Sequence, residues 1–360
     1  MSNSISSNIW ENESLQPITA DVIQSHVEQM QQQVEANKEN KGMLKVKTAN
    51  QWLEQAKKTP IPEMLFNEFW HESEICILFA DTNLGKSILA VQIANSISSG
   101  KQIAGFNLEA KKQAVLYFDF ELSAKQFEGR YSIKNAAIKS YDRHYLFDNT
   151  FKRIEINPDA ELPTDVSFEK YLNQSIEQSI IETKAKILII DNITYLKSET
   201  EKARDALPLM KELKALKNKY NLSILALAHT PKRDLSKPIT RNDLQGSKML
   251  INFVDSCFSI GESQTDKNIR YLKQIKARNT EIIYDTENVV VCQIQKPYNF
   301  LEFEFINFGT EREHLKQFNE GDRENLIEQA KELSKSGLSQ RQIATELSIS
   351  LGAVNKYLKM

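Results

Sequence analysis

The sequence predicts an α/β protein: a mainly parallel sheet covered by helices, followed by a small all-helical C-terminal module. Two observations lead there. Between about Ile75 and Ile306, short runs rich in Ile, Val, Leu and Phe alternate with amphipathic stretches, the pattern of strands buried on both faces and joined by helical crossovers. From Asp322 to Met360 that alternation gives way to two or three short helical segments. The 360 residues are 41% hydrophobic and 26% charged, enough apolar content for one large or two modest domains and too much for disorder throughout.

Composition also excludes some classes of function. Lys and Arg total 46 against 48 Asp and Glu, a net charge of -2, so the chain is no polycation and any contact with nucleic acid must be local. Cys76, Cys257 and Cys292 are odd in number, widely spaced and set in apolar runs, which reads as reduced core thiols. The longest apolar runs, Ile75 to Ala80, Ile187 to Ile190 and Ile224 to Ala228, are strand-sized, and the polar N-terminus has no signal-like apolar stretch. A cytoplasmic protein without membrane contact is expected.

The first segment, residues 1–59, is polar. Ile23, Val27, Met30 and Val34 recur at helical spacing there, giving a short amphipathic helix that either rests on the body or docks on a neighbouring subunit. A second helix starts after Thr48 as N-cap, with Trp52, Leu53 and Ala56 inward, and stops before Pro60 and Pro62. Residues 60–310 form the main domain. Its strands are placed at Ile75 to Phe79, Val115 to Phe120, Ile187 to Asp191, Ile224 to Ala228 and Val254 to Ser259. Ile269 to Ile275, Val289 to Ile294 and Leu301 to Phe305 follow, with connections too short for helical crossovers, so these are antiparallel. Residues 322–360 form the helical module.

The strongest chemical signal is Ala80-Asp81-Thr82-Asn83-Leu84-Gly85-Lys86-Ser87, between the first apolar strand and an apolar-periodic helix. This is the setting of a phosphate-binding P-loop. Successive backbone N–H groups and the helix N-terminus surround phosphates, Lys86 adds positive charge, and Ser87 offers a hydroxyl to Mg2+. Ala80 departs from the glycine of the strict pattern; Asp81 and Asn83 can take the left-handed conformations that glycine would otherwise supply. ATP with Mg2+ is the expected ligand pair.

Two further strands end in acids. Lys186-Ile-Leu-Ile-Ile-Asp191-Asn192 places Asp191 where a carboxylate reaches the metal shell. Val115-Leu-Tyr-Phe-Asp119-Phe120-Glu121 offers Glu121 to orient the attacking water, with Asp119 as a competitor on the same face of a regular strand. Glu121 also suits a purely structural role, as a charge beside the helix that begins near Ser123.

With these motifs the chain, from about Pro60 to Ile306, resembles RecA-like P-loop ATPases, in particular the DnaB-type and plasmid RepA-like hexameric helicase branch. The resemblance implies that an acid closes the second strand, as Glu121 does, and that a polar residue closes the fourth, where Ala228-His229-Thr230 stands. His229 would then sense the γ-phosphate. Lys276-Ala-Arg278-Asn279 looks like the family's K-x-R-N element, whose Lys276 and Arg278 would reach a neighbour's ATP within a homo-oligomeric ring. The competing reading of this pair is two solvated edge-strand charges. No signature of an ABC transporter ATPase is present, and Asn218-Lys219-Tyr220-Asn221 lacks the aspartate of a guanine-specificity motif.

The polar connection after His229 carries Lys232, Arg233, Lys237, Arg241 and Lys248. These can contact the phosphates of single-stranded DNA, without interleaved aromatics to stack on bases, or can be an ordinary solvated loop. In the C-terminal module Ser339 and Gln342 form a capping box, and Ile343, Ala344, Leu347, Ile349, Val354 and Leu358 are the inward positions of a helix-turn-helix. Ser350 caps its second helix, leaving Asn355 and Lys356 outward for duplex DNA. The alternative is a helical module that packs on the ATPase or on a partner. The expected function is an ATP-hydrolysing, DNA-associated, helicase-like motor in plasmid or mobile-element replication. Its rivals are a nucleotide-gated DNA-binding regulator and a partner-binding ATPase without DNA contacts.

Overall fold

A computed structural model describes residues 44–196, 203–244, 247–317, 320–347 and 349–360. Chain contacts divide the protein into Met1–Ile61 and Pro62–Met360. The expected helix around Ile23 to Val34 lies outside the described residues. In the first unit, α1 (Ala49–Ala56) is closed by the predicted cap: Thr48 Oγ1 accepts the Gln51 N–H at 3.2 Å and Gln51 Oε1 accepts the Thr48 N–H at 3.0 Å. Its apolar positions are not inward as expected, since Trp52, Leu53 and Ala56 are all exposed. The reciprocal cap satisfies the first-turn donors locally, so the turn is supported without burying a face.

The second unit begins with the short pair β1 (Met64–Phe66) and β2 (Trp70–His71). Then follow β3 (Ile75–Ala80), α2 (Lys86–Ser99), β4 (Val115–Asp119), α3 (Ala124–Arg130), the hairpin β5 (Ile133–Asn135) and β6 (Ser140–Asp142), β7 (Phe151–Ile154), α4 (Phe168–Thr183), β8 (Ile187–Asp191), α5 (Ala203–Tyr220), β9 (Ser223–His229), α6 (Ser247–Phe253) and β10 (Ser256–Glu262). The strands β11 (Ile269–Lys276), β12 (Val289–Gln295) and β13 (Glu302–Gly309) complete the sheet, and α7 (Glu320–Lys335), α8 (Gln340–Glu346) and α9 (Leu351–Tyr357) end the chain.

The main sheet runs β13-β12-β11-β10-β3-β9-β8-β4-β7. The stretch from β10 to β7 is parallel throughout, and β10-β11-β12-β13 is antiparallel. This is a RecA-like P-loop arrangement, as predicted. Strand residues alternate between two apolar layers: Cys76 and Leu78 pack with α2 on one face, while Ile75, Ile77 and Phe79 pack with α4 and α5 on the other. The three cysteines are buried and free. Among the described residues no helix is long and apolar enough to cross a membrane.

The sequence pattern missed β1, β2, β5, β6 and β7. β7 is the clearest loss: Phe-Lys-Arg-Ile at a sheet edge is only half-buried, so it carries neither a continuous apolar run nor strict alternation. The strand expected from Val254 starts at Ser256, because Val254 still accepts a bond from Lys276 in the turn after α6. The last strand is displaced toward the C-terminus, to Glu302–Gly309. The three final helices share a small core of their own, centred on Ala330, Ile343 and Val354, with the capping box at Ser339 and the Ser350 cap both formed.

One buried ion pair fastens the connection after β9 to the antiparallel strands. Lys273 Nζ donates to Glu311 Oε2 at 2.5 Å, to Ile239 O at 2.9 Å and to Thr286 Oγ1 at 3.0 Å. Glu311 Oε1 accepts the Ile239 N–H at 2.6 Å and the Tyr271 hydroxyl at 3.2 Å. Both backbone groups of Ile239 are thereby tied to one pair of charges, and each charge is saturated with partners. Truncating one member leaves the other buried and uncompensated, so Glu311→Ala is expected to cost about 3–5 kcal/mol in urea unfolding. The double change Lys273→Met with Glu311→Leu should recover much of that loss, and a double variant no more stable than Glu311→Ala would contradict this account.

Candidate functional site

The parallel strands β3, β9, β8 and β4 end together, with Ala80 opposite His229 and Asp119 opposite Asp191 in register. Strand pairing alone therefore brings residues more than a hundred positions apart to one edge. The loop leaving β3 turns through Asn83 at φ 64° and Gly85 at φ 96°. Asn83 thus takes a left-handed role as expected, whereas Asp81 does not; its carboxylate instead accepts the Thr82 N–H at 2.7 Å. At Gly85 a β-carbon would lie 2.8 Å from Ile294 Cδ1 and 2.9 Å from the Phe303 ring, so glycine is required by both backbone and space. Gly85 is also the N-cap of α2 and offers no side chain, which leaves the first N–H groups of the helix for an anion.

Lys86 is buried and folds back over this loop. Its Nζ donates to Ala80 O at 2.9 Å and to Asp81 O at 3.0 Å, and lies 3.4 Å from His229 Nδ1. Burial lowers its pKa, partly offset by the carboxylates of Asp191, Glu121 and Asp81. The ammonium is thus held by neutral oxygens, with negative charge nearby but not in contact.

Asp191 is almost fully buried at the end of β8. Its Oδ2 accepts the Tyr117 hydroxyl at 2.7 Å. Desolvation pushes its pKa up to about 6 against the opposing influence of Ser87 and Tyr117. Ser87 faces the carboxylate closely enough to be felt electrostatically, yet Oδ1 has no hydrogen bond of normal geometry. An orphaned carboxylate oxygen beside a hydroxyl is a donor set that suits a hard divalent cation, so Ser87 and Asp191 fit the Mg2+ that accompanies a nucleotide.

Glu121 lies just past the end of β4, where its Oε1 is bonded by Asn192 Nδ2 and lies 3.3 Å from His229 Nε2. The contact with His229 is the main cause of its lowered pKa, so Glu121 is a carboxylate at neutral pH and able to orient water. Asp119 does not share its surroundings. Asp119 Oδ1 accepts the N–H groups of Glu121 and Leu122 at 3.2 and 2.9 Å, and Oδ2 accepts Arg153 Nε at 2.8 Å. The competing carboxylate is consumed in shaping the turn that presents Glu121.

His229 touches both halves of the site. Lys86 approaches one ring nitrogen, while Glu121 and Asn192 approach the other, Asn192 Nδ2 at 2.8 Å. Asn192 and Arg153 are the residues that sequence reasoning gave no role. The signal for Asn192 was its place, a polar side chain directly after a strand-ending acid; Arg153 sits on the strand that the pattern missed.

A model of the AAA domain family matches residues 42–234, more than half of the chain and the whole stretch from the P-loop through Asp191 to His229. The chain belongs to the AAA domain family. No curated protein sequence matches it. This AAA domain accounts for an ATPase of the general P-loop kind and for nucleotide binding.

Other predicted residues lie elsewhere. Lys276 Nζ donates to Ile251 O and Val254 O at 2.7 and 2.8 Å, and Arg278 Nη1 pairs with Asp255 Oδ1 at 2.8 Å. Asp255 also accepts the Ile75 N–H, so this pair sits at the start of β3, at the opposite end of the sheet from the P-loop of its own chain. Lys232 and Arg241 are exposed, as an interface with nucleic acid needs. Arg233 is not, being half-buried, bonded to Lys237 O at 3.2 Å and set against the Tyr271 hydroxyl. The loop folds toward the sheet there and engages its guanidinium. The side chain of Lys248 is outside the described residues. Asn355 and Lys356 are exposed on α9.

The raised pKa of Asp191 fixes a sign. The folded state holds this proton more tightly than the unfolded one, so stability falls as pH rises from about 4 to about 6 and the full cost applies above that. Asp191→Asn is therefore expected to stabilise the nucleotide-free AAA domain protein at pH 7.5 by up to roughly 3 kcal/mol and to abolish ATP hydrolysis. Chemical unfolding at pH 4 and pH 7.5 tests it, since the gain must shrink at the lower pH.

Proposed function

We infer that this AAA domain protein is an ATP-driven motor acting on DNA, helicase-like and assembled as a homo-oligomeric ring, in the replication or mobilisation of a plasmid or mobile element. The observation that carries the reading is His229, whose ring lies 3.4 Å from Lys86 and 3.3 Å from Glu121 and whose chain leads at once into the connection bearing exposed Lys232 and Arg241. A side chain placed there changes partners when phosphate draws Lys86 away, and the change passes directly into the connecting segment.

In this mechanism Lys86 and the N–H groups at the start of α2 hold the β- and γ-phosphates. Ser87 and Asp191 would hold Mg2+, which would supply positive charge to the triphosphate. Glu121 orients water for attack at the γ-phosphorus, and Asn192 fixes the Glu121 carboxylate. Lys276 and Arg278 serve the site of the adjoining subunit, where an arginine stabilises the charge that develops in the transition state. Residues 60–310 form the motor, and residues 322–360 are a helix-turn-helix that orients it on duplex DNA through Asn355 and Lys356.

The second reading, a nucleotide-gated DNA-binding regulator with little turnover, is favoured by a separate observation: the C-terminal helices have their own core and present Asn355 and Lys356 to solvent. Steady-state ATP hydrolysis with and without single-stranded DNA separates the two. The motor requires stimulation by DNA, a loss of about a hundredfold or more in Lys86→Ala, and loss of the stimulated rate in Arg278→Ala. Slow turnover indifferent to DNA would transfer the function to the helix-turn-helix.

A further inference from the structure

The connection after His229 lacks aromatic residues, yet the neighbouring strand ends supply a pair. Phe120 and Tyr195 stack with ring centroids 5.0 Å apart and planes 18° from parallel. Phe120 is half-buried, while Tyr195 keeps 46% of its surface exposed. One face of the tyrosine ring is backed by another ring and the side chain is left open to solvent, a poor use of an aromatic if packing were its purpose.

The backbone holds the pair on the hydrolytic residues. Phe120 immediately precedes Glu121, and its N–H donates to Asp191 O at 2.8 Å. Tyr195 lies in the 3-10 turn Ile193–Leu196, with its N–H on Asn192 O at 3.2 Å, and the adjacent Thr194 N–H bonds Asn192 Oδ1 at 2.8 Å. β8 and β9 are parallel neighbours, so Tyr195, four residues beyond Asp191, and Lys232, three beyond His229, leave the same edge of the sheet by adjacent connections.

We propose that the Phe120–Tyr195 stack is a platform for a base of single-stranded nucleic acid, with Lys232 on the adjoining connection available to the phosphate backbone. This rests on the reading of the protein as a DNA-associated ATPase and adds the site that would report DNA to the hydrolytic centre. Every base has a π-face, so stacking needs no sequence-specific hydrogen bond and suits a motor that moves along any sequence. Phe120 sets the ring of Tyr195 in advance, which lowers the entropy lost on binding. The adenine of ATP is the other planar base at hand. However, the stack adjoins Glu121 and Asn192, at the γ-phosphate end of the site, and in ATP the base lies at the far end from the γ-phosphate.

Fluorescence anisotropy of a 5′-labelled oligo(dT), titrated with the full chain in a non-hydrolysable ATP analogue, tests the platform. Tyr195→Ala is expected to weaken binding about tenfold and Tyr195→Trp to restore it. The slope of log affinity against log salt should stay that of the parent, because no phosphate contact is removed. Equal affinity in the parent and Tyr195→Ala overturns the proposal, as does a loss that Tyr195→Trp does not restore. Weakened binding of a fluorescent ATP analogue by Tyr195→Ala, with the oligonucleotide unaffected, assigns the ring to adenine and also overturns it. Failure of the parent chain to bind the oligonucleotide overturns the DNA-associated reading itself, a result distinct from the others.

Discussion

A buried ammonium held by neutral oxygens organises this molecule. Lys86 is nearly out of solvent, its pKa is pulled down by burial, and its bonding partners are the carbonyls of its own loop and an imidazole. A cation in that state is costly, because neutral dipoles replace hydration only in part. The surrounding structure accepts the cost by providing a left-handed turn at Gly85, a helix N-terminus without a side-chain cap, and carboxylates set back from contact. The first two of these suit a polyanion beside the lysine. Asp191 mirrors the arrangement with opposite sign: a buried carboxylate with one oxygen outside any hydrogen bond suits a divalent cation. The two charges are complementary to a metal-bound nucleotide, and both stand at strand ends that the parallel register aligns.

The parts of this arrangement that were legible in the sequence are those in which local pattern and tertiary role coincide. Buried parallel strands are continuous apolar runs, so β3, β4, β8 and β9 stood out, and with them Lys86, Ser87, Asp191, Glu121 and His229. The antiparallel order of β11 to β13 followed from short connections alone. What was lost lay where tertiary contacts override local signals. β7 is recognisable only as a partner of β4, and Arg153 on it removes Asp119 from competition with Glu121. Regular alternation put Asp119 and Glu121 on one face, but β4 ends between them and the backbone turns to bond the first carboxylate. Trp52 and Leu53 fit an inward stripe by spacing, yet α1 is sustained by its cap and buries nothing.

The connection after His229 shows how a charge run misleads. By composition it is a solvated basic loop, with Arg233 indistinguishable from Lys232. In the fold, Ile239 is gripped through both its backbone groups by the Lys273–Glu311 pair, and Arg233 is drawn toward Tyr271 beneath it. A buried ion pair is weak evidence for stability, since well-packed apolar residues often do as well. Its use here is geometric: directional bonds fix the far end of a segment whose near end is His229. Between those two anchors the segment is held again at Thr230, whose N–H bonds Ala80 O at 3.1 Å, and at Leu235, whose carbonyl accepts the Lys316 N–H at 3.0 Å, while Lys232 between them stays exposed.

The positions of Lys276 and Arg278 set a limit on what a single copy can do. Both are tied to the turn around Asp255, which also bonds Ile75 at the start of β3. The P-loop leaves the other end of that strand at Ala80, five residue steps or roughly 17 Å away. No rotation of an arginine side chain spans that distance, and a displacement large enough to do so would have to break the parallel register that aligns Ala80 with His229. Arg278 therefore does not reach the P-loop of its own chain. The same geometry gives Asp255 a second role, because it bonds Arg278 as well as Lys217 and so holds the half-exposed guanidinium in place. A guanidinium already ordered in this way loses little side-chain entropy when it exchanges one anionic partner for another.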